Sequence, residues 1–297
     1  MNVYELVTER IVEQMQKGII PWNRPWHGGD DGAINYESRK PYSLVNQMLL
    51  GRAGEWLTFN QITSRGGSIK KGAESGIVVF FTTAVKKAEK KEGEELTEED
   101  KKKERRYPLL RYYRVFHIDD CEGIQTKCST QETKTIEPIA EAERVISEYA
   151  ERTDLNIVVS LSNRAYYSPG QDKVVVPKLE QYDAPEHYYS TLFHECVHST
   201  GSSKRLNRST ITEVNHFGDE DYSREELIAE MGSAMLCNRL GIETEPVFRN
   251  SVAYLQGWLT ALKNDKYMVV WAASRAERAA KLIMNEGTVE ELKSQFA

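Results

Sequence analysis

Tyr188-Tyr189-Ser190-Thr191-Leu192-Phe193-His194-Glu195-Cys196-Val197-His198 decides how this chain is read. Its pattern predicts a helix over about 185–200, with Asp183 and Glu186 in capping-box spacing at the start and Gly201 as the stop. Residues four apart share a helix face, so the imidazoles of His194 and His198 can reach one metal ion. Glu195 leans towards a water on that ion and can take its proton. Zinc, the expected cofactor at one ion per chain, lowers the pKa of such a water to about 7. The competing possibility is a helix holding two histidines and a glutamate by chance. With only 6 His in 297 residues, and with Leu192, Phe193 and Val197 supplying apolar surroundings, chance is the weaker explanation.

A catalytic zinc keeps three protein ligands and one open position. Gly201 fits the longer metzincin pattern, but Lys204 stands where that pattern has its third His, and an ammonium has no lone pair to donate. His216, Asp219, Asp221, Glu226 and Glu230 remain as candidates. Glu226 is preferred. It lies on a helix predicted over 223–240 and shares a face with Glu230. That pairing resembles the thermolysin-like gluzincin arrangement, in which a Glu ligand is followed four residues later by an acid orienting a histidine's second nitrogen. Ser223 and Glu226 also have capping-box spacing, which offers a purely structural explanation for Glu226 but not for Glu230. Upstream, Asp172–Pro177 reads as a strand, either an edge that holds a substrate backbone by β-addition or an ordinary core strand.

Outward from this motif, the organisation reads as α+β in two domains, with boundaries at 1–125 and 137–297 and a Thr/Gln/Lys-rich linker at 126–136. Helices are expected over 3–17, 42–50 and 139–152, and strands over 56–59, 76–81, 107–118, 156–162 and 173–176. Residues 86–106 are nearly all Lys and Glu and read as a solvated excursion or exposed hairpin arm. The length and a hydrophobic content of 40% allow two domains, each with its own core. No stretch is long and apolar enough to span a bilayer, and the N-terminus lacks a signal-peptide layout, so no membrane partner and a cytoplasmic location are expected. Four Cys with no C-x-x-C pair argue against a thiolate zinc ribbon and a disulfide scaffold.

The net charge of −6 is uneven: residues 1–120 hold 20 Lys and Arg against 18 Asp and Glu, and the remainder 19 against 27. Only the first part has a charge balance suited to nucleic acid. There, Pro21-Trp22-Asn23-Arg24-Pro25-Trp26 interleaves rings with a cation, as single-strand binding requires, and Arg65, Lys70, Lys71 and Arg111-Tyr112-Tyr113-Arg114 can extend the track. The candidate contacts are Trp22, Arg24, Trp26, Lys70, Lys71, Arg111 and Tyr112. Alternatively, the tryptophans are core anchors held by the prolines.

PWNRPW, KPYSLVNQMLL, WLTFNQI, RYYRVFHIDDCEGI, YYSTLFHECVH, TGSSKRLNR and SREELIAEMGSAMLC together make the chain similar to the plasmid-encoded ArdC-type antirestriction proteins across most of its length. The resemblance implies an N-terminal domain that binds single-stranded DNA, a C-terminal zincin-like metallopeptidase domain, and protection of incoming plasmid DNA during conjugative transfer. Two departures stand out: Ser199 occupies a position where many relatives have Trp, and the Lys/Glu arm is longer than usual. The first functional expectation is a DNA-directed zinc peptidase acting on DNA-bound or restriction-related proteins, with Mn2+ or another divalent ion able to replace zinc in vitro. The alternative is a non-proteolytic DNA-binding or restriction-enzyme-blocking protein with a structural or vestigial zinc site. The intact general base Glu195 favours the first, since a structural site needs none.

Overall fold

The computed structural model describes residues 2–17, 19–23, 32–86, 105–127, 138–161, 164–213, 220–242 and 252–294. Helix α1 (Val3–Gln16) opens on a reciprocal capping box between Asn2 and Glu5, and Val7, Ile11 and Met15 point its apolar stripe inward. A 3-10 turn at Pro21–Asn23 precedes β1 (Ala33–Asn35), a strand too short to read from pattern. Then follow α2 (Leu44–Leu50), β2 (Gly54–Thr58), α3 (Phe59–Thr63), β3 (Ser68–Ile69), β4 (Gly76–Lys86), β5 (Arg105–His117) and β6 (Cys121–Glu122).

The main sheet has the order β1-β2-β5-β4, with β1 parallel to β2 and the rest antiparallel. β4 and β5 form a ribbon from Gly76↔Val115 to Lys86↔Arg105, so the pairing runs further into the Lys/Glu region than the hydrophobic pattern predicts. Residues 87–104 lie outside the described residues. The outer edge of β4 is met by Asn46 of α2, whose side chain donates to the Val79 carbonyl at 2.9 Å and accepts from its N–H at 2.7 Å. That satisfies a backbone edge otherwise open to another strand.

The second half contains α4 (Pro138–Thr153), β7 (Asn156–Ser160), β8 (Tyr166–Ser168), β9 (Lys173–Pro177), α5 (Pro185–Ser199), α6 (Ser209–Thr212), α7 (Glu220–Arg239), α8 (Val252–Asn264), α9 (Met268–Ile283) and α10 (Val289–Ser294). The small sheet has the order β7-β9-β8. β9, with Val174, Val175 and Val176 buried, is therefore the central strand, and β8 is an edge. That corrects the edge-strand reading of 172–177 in favour of the core one. Buried Ala272, Ala273, Ala276, Ala279 and Ala280 let α9 pack closely against α7 and α5. The architecture is α+β. No described helix is long and apolar enough to cross a membrane.

The two-part α+β organisation holds, but the two parts do not keep separate cores. One continuous cluster joins Val7, Ile11 and Trp22 from the first half to Phe193, Leu227 and Val269 from the second. α1 packs on α8, α2 on α9, and the 3-10 turn carrying Trp22 on α7. Polar ties reinforce the junction: Thr8 donates to the Lys266 carbonyl at 2.8 Å, and the Leu44 N–H donates to Glu277 at 3.1 Å. Two smaller clusters belong to the first half alone, one of them around Tyr42, Trp56, Val78 and Val115.

Candidate metal centre

Helix α5 starts at Pro185, as the pattern predicts, but its N-cap falls one residue after Asp183. Ala184 is the N-cap without a side-chain bond, and Pro185 sits at the first turn, where its missing N–H costs nothing. Asp183 and Glu186 therefore form no capping box. α7 begins at Glu220, which places Ser223 inside the helix and removes the capping explanation for Glu226. Gly232 of α7 lets the two helices approach closely, since a Cβ there would lie 2.8 Å from Val197 Cγ2.

This close approach brings three donors together: His194, His198 and Glu226 each offer an atom within 4.8 Å of the others. The His194 and His198 Nε2 atoms are 3.1 Å apart, and they lie 3.5 Å and 3.6 Å from the Glu226 carboxylate oxygens. Tetrahedral bonds of about 2.0–2.1 Å separate ligand atoms by roughly 3.3–3.4 Å, so the set fits one divalent ion. Burial alone would lower the pKa of His194, but its hydrogen bond with Glu226 and the charges of Glu230, Glu195 and Glu226 push it up to about 9. A cation is thus favoured at this point, whether proton or metal. Of the other ligand candidates, His216, Asp219 and the side chain of Asp221 lie outside the described residues. Lys204 turns to Asp172, at 3.2 Å.

Behind His198 stands a carboxylate that the sequence pattern did not single out. Glu225, with a side chain only 4% exposed, lies 3.2 Å from His198 Nδ1. Glu230 bears on His194 through its charge. Consecutive residues are about 100° apart on a helix, so Glu226 can face the metal while Glu225 faces the histidine's far side. Glu225 accepts from Arg208 Nε at 3.0 Å, from Arg208 Nη2 at 2.6 Å and from the Thr210 hydroxyl. Burial would raise its pKa, but the Arg208 charge and the bonds from His198 and Arg208 hold it down to about 2. Arg208 also donates to the Val197 carbonyl at 2.9 Å, tying itself to the motif helix. Gly201 makes room for this, because a Cβ there would lie 2.9 Å from Arg208 Nη2. The available sequence signal was a second acid adjoining the ligand. Ser199 is fully buried and bonds Tyr149 at 2.8 Å, on the core side of α5.

The donors open into a cleft of about 650 Å³, lined by His194, Glu195, Glu226, Tyr166 and Tyr167 among others. Edge strand β8 supplies the two tyrosines. Buried Arg205 pairs with Asp172 in the β8–β9 turn, and Tyr167 donates to the same carboxylate at 2.9 Å, fixing the strand against the helix end.

The candidate nucleic-acid residues are scattered. Trp22 is 1% exposed in the shared core, which corrects its assignment as a stacking ring: a side chain enclosed this way presents no face to a base. Arg24 and Trp26 lie outside the described residues. Lys70 and Lys71 are exposed, with Lys70 Nζ donating to the Asp119 carbonyl at 2.7 Å. Arg111 and Tyr112 are exposed on opposite faces of β5.

Residues 1–116 match the N-terminal domain of the anti-restriction factor ArdC, and residues 141–275 match the zincin-like metallopeptidase family. The crystal structure of the antirestriction ArdC protein from plasmid R388 aligns over 100% of both chains at a TM-score of 0.71, with 31% identity in its Mn(II)-bound form and 29% in its metal-free form. The chain belongs to the ArdC antirestriction family. An uncharacterised protein of Sinorhizobium fredii is 31% identical, covering 94% of this chain and 90% of the relative. Two DNA primases TraC of Escherichia coli are 28% and 26% identical over 93% and 95% of this chain, which spans 19% and 27% of their lengths. For this ArdC-family chain, the zincin-like assignment and the Mn(II)-bound neighbour imply a divalent metal.

Proposed function

We propose that this ArdC-family protein is a zinc-dependent peptidase joined to a single-stranded-DNA-binding unit, and that it protects incoming plasmid DNA during conjugative transfer. The observation that carries the reading is the convergence of His194, His198 and Glu226 beside Glu195, in a cleft bordered by the edge strand β8. When bound, the ion supplies Lewis acidity, polarising a carbonyl and making water more acidic. The rest falls to the chain itself. β8 holds an extended peptide by backbone bonds, Glu195 takes the proton of the attacking water and passes it to the leaving amine, and Glu225 holds His198 in one orientation. The R388 neighbour's Mn(II) supports occupation by a divalent ion, and the ArdC N-terminal match supports contact with DNA through 1–125.

The test uses the full chain loaded with zinc, a protein bound to a single-stranded oligonucleotide, and the same protein free. Wild type should release fragments and Glu195→Gln should release none while keeping its metal. In conjugation into a restricting host, full protection by Glu195→Gln would show that binding alone, without proteolysis, is the function.

A further inference from the structure

Strands β4 and β5 are the longest among the described residues, and between them they carry Lys86, Arg105, Arg106, Arg111 and Arg114 with no Asp or Glu. In an acidic protein of net charge −6, this ribbon is a local reversal of sign. Directly paired residues on antiparallel strands project to the same face, so Val78, Phe80, Arg111 and Tyr113 share one side. Val78 is buried there against Trp56 and Tyr42. Further along the same face the apolar character continues into solvent. Phe80 is 42% exposed and Tyr113 48% exposed, with ring centroids 5.8 Å apart in an edge-to-face pair. Buried Tyr42 stands behind Phe80 at 6.3 Å and holds the row to the core.

Two half-exposed rings packed side by side on a rigid sheet, with an exposed Arg directly opposite one of them, make an apolar and cationic face that a partner can cover. The charge decides which partner. A polyanion meets Arg111, while the rings require flat apolar faces, and unpaired bases on a phosphate backbone supply both. Duplex DNA hides its base faces, and an acidic peptide lacks the flat rings.

We propose that Phe80, Tyr113 and Arg111 form the stacking platform that receives single-stranded nucleic acid. The proposal deepens the nucleic-acid part of the function above and rests on it. It places the platform on the sheet rather than in the PWNRPW segment, where Trp22 is enclosed. The two rings stack on successive bases and Arg111 meets the intervening phosphate.

The experiment is fluorescence anisotropy on the zinc-loaded full chain, with labelled dT15, a 15-base-pair duplex and poly-glutamate as probes. Wild type should prefer dT15. Phe80→Leu/Tyr113→Leu, which keeps apolar bulk, should weaken dT15 by roughly 5- to 150-fold per lost stack and leave duplex binding nearly unchanged. Arg111→Gln, at an exposed position, should reduce the slope of log affinity against log salt by about 0.7. Zinc content should match wild type in every variant. If wild type binds dT15 and both variants bind it equally well with the same salt slope, the platform is elsewhere and the nucleic-acid reading stands. If wild type does not bind dT15, that reading falls and the platform with it. Ring-dependent binding of poly-glutamate in preference to dT15 would make this face a protein-docking surface.

Discussion

Gly232→Ala tests whether the α5–α7 contact builds the metal centre. A Cβ at Gly232 would sit 2.8 Å from Val197 Cγ2 and 3.0 Å from Cγ1. Carbon atoms prefer about 3.5–4.0 Å, so the helices must part by roughly 0.7–1 Å. Val197 lies between the two ligand histidines and Gly232 on the helix of Glu226, so the separation opens the 3.5 Å and 3.6 Å gaps between Glu226 and the imidazoles. Metal bonds tolerate about 0.2 Å, several times less than the displacement. Metal affinity should fall about 10- to 100-fold, the range seen when ligand positioning is lost. Overpacking costs about 1–3 kcal/mol, offset by about 1 kcal/mol of helix propensity gained over glycine. Zinc competition against a chromophoric chelator reads the first effect, and urea unfolding in EDTA the second. Adding Val197→Ala removes the opposing methyls and should restore most of the affinity. If Gly232→Ala binds zinc as tightly as wild type, or if the double variant gains nothing over it, the helix contact does not set the position of Glu226.

Glu226→Ala should fold and lose stoichiometric zinc by metal analysis, since two imidazoles remain without their third partner. Glu225→Gln should keep the three ligands but weaken zinc by about 10- to 100-fold in the same chelator assay, because His198 loses its carboxylate. Trp22→Ala should cost about 3–5 kcal/mol in urea unfolding as a core truncation, while Trp22→Phe costs less and also removes an indole N–H that has no hydrogen-bond partner among the described residues. At Asp172 burial would raise the pKa, but hydrogen bonds from Arg205, Tyr167 and Lys204 lower it from 3.8. A depressed carboxylate stabilises the fold above its unfolded pKa and loses that contribution as pH falls through the folded one. Asp172→Asn should therefore cost about 3–5 kcal/mol near neutrality, leaving the buried Arg205 charge without its carboxylate, and the gap to wild type should narrow as pH falls below about 4 in unfolding titrations.

What was readable in the linear chain is what local geometry governs. Two histidines at i and i+4 share a helix face in any fold, and Glu195 follows from the same turn. Glu226 and Glu230 stand out because acids at helical spacing on a face otherwise turned to the core call for a reason. The boundaries of α1 and α4 followed from their own stripes. Tertiary structure decided everything that depends on residues far apart in sequence. Arg208 reaches back past Gly201 to give Glu225 its role, which no period in either segment encodes. β8 is three residues long and becomes a cleft wall only because β9 pairs with it. Phe80 and Tyr113 are 33 positions apart, and only the β4–β5 register sets their rings side by side. Trp22 looked as suited to a base as to a core, because an amphipathic ring flanked by prolines serves both. Its fate was settled when α7 closed over it and joined the two halves in one apolar core, a contact between segments some two hundred residues apart.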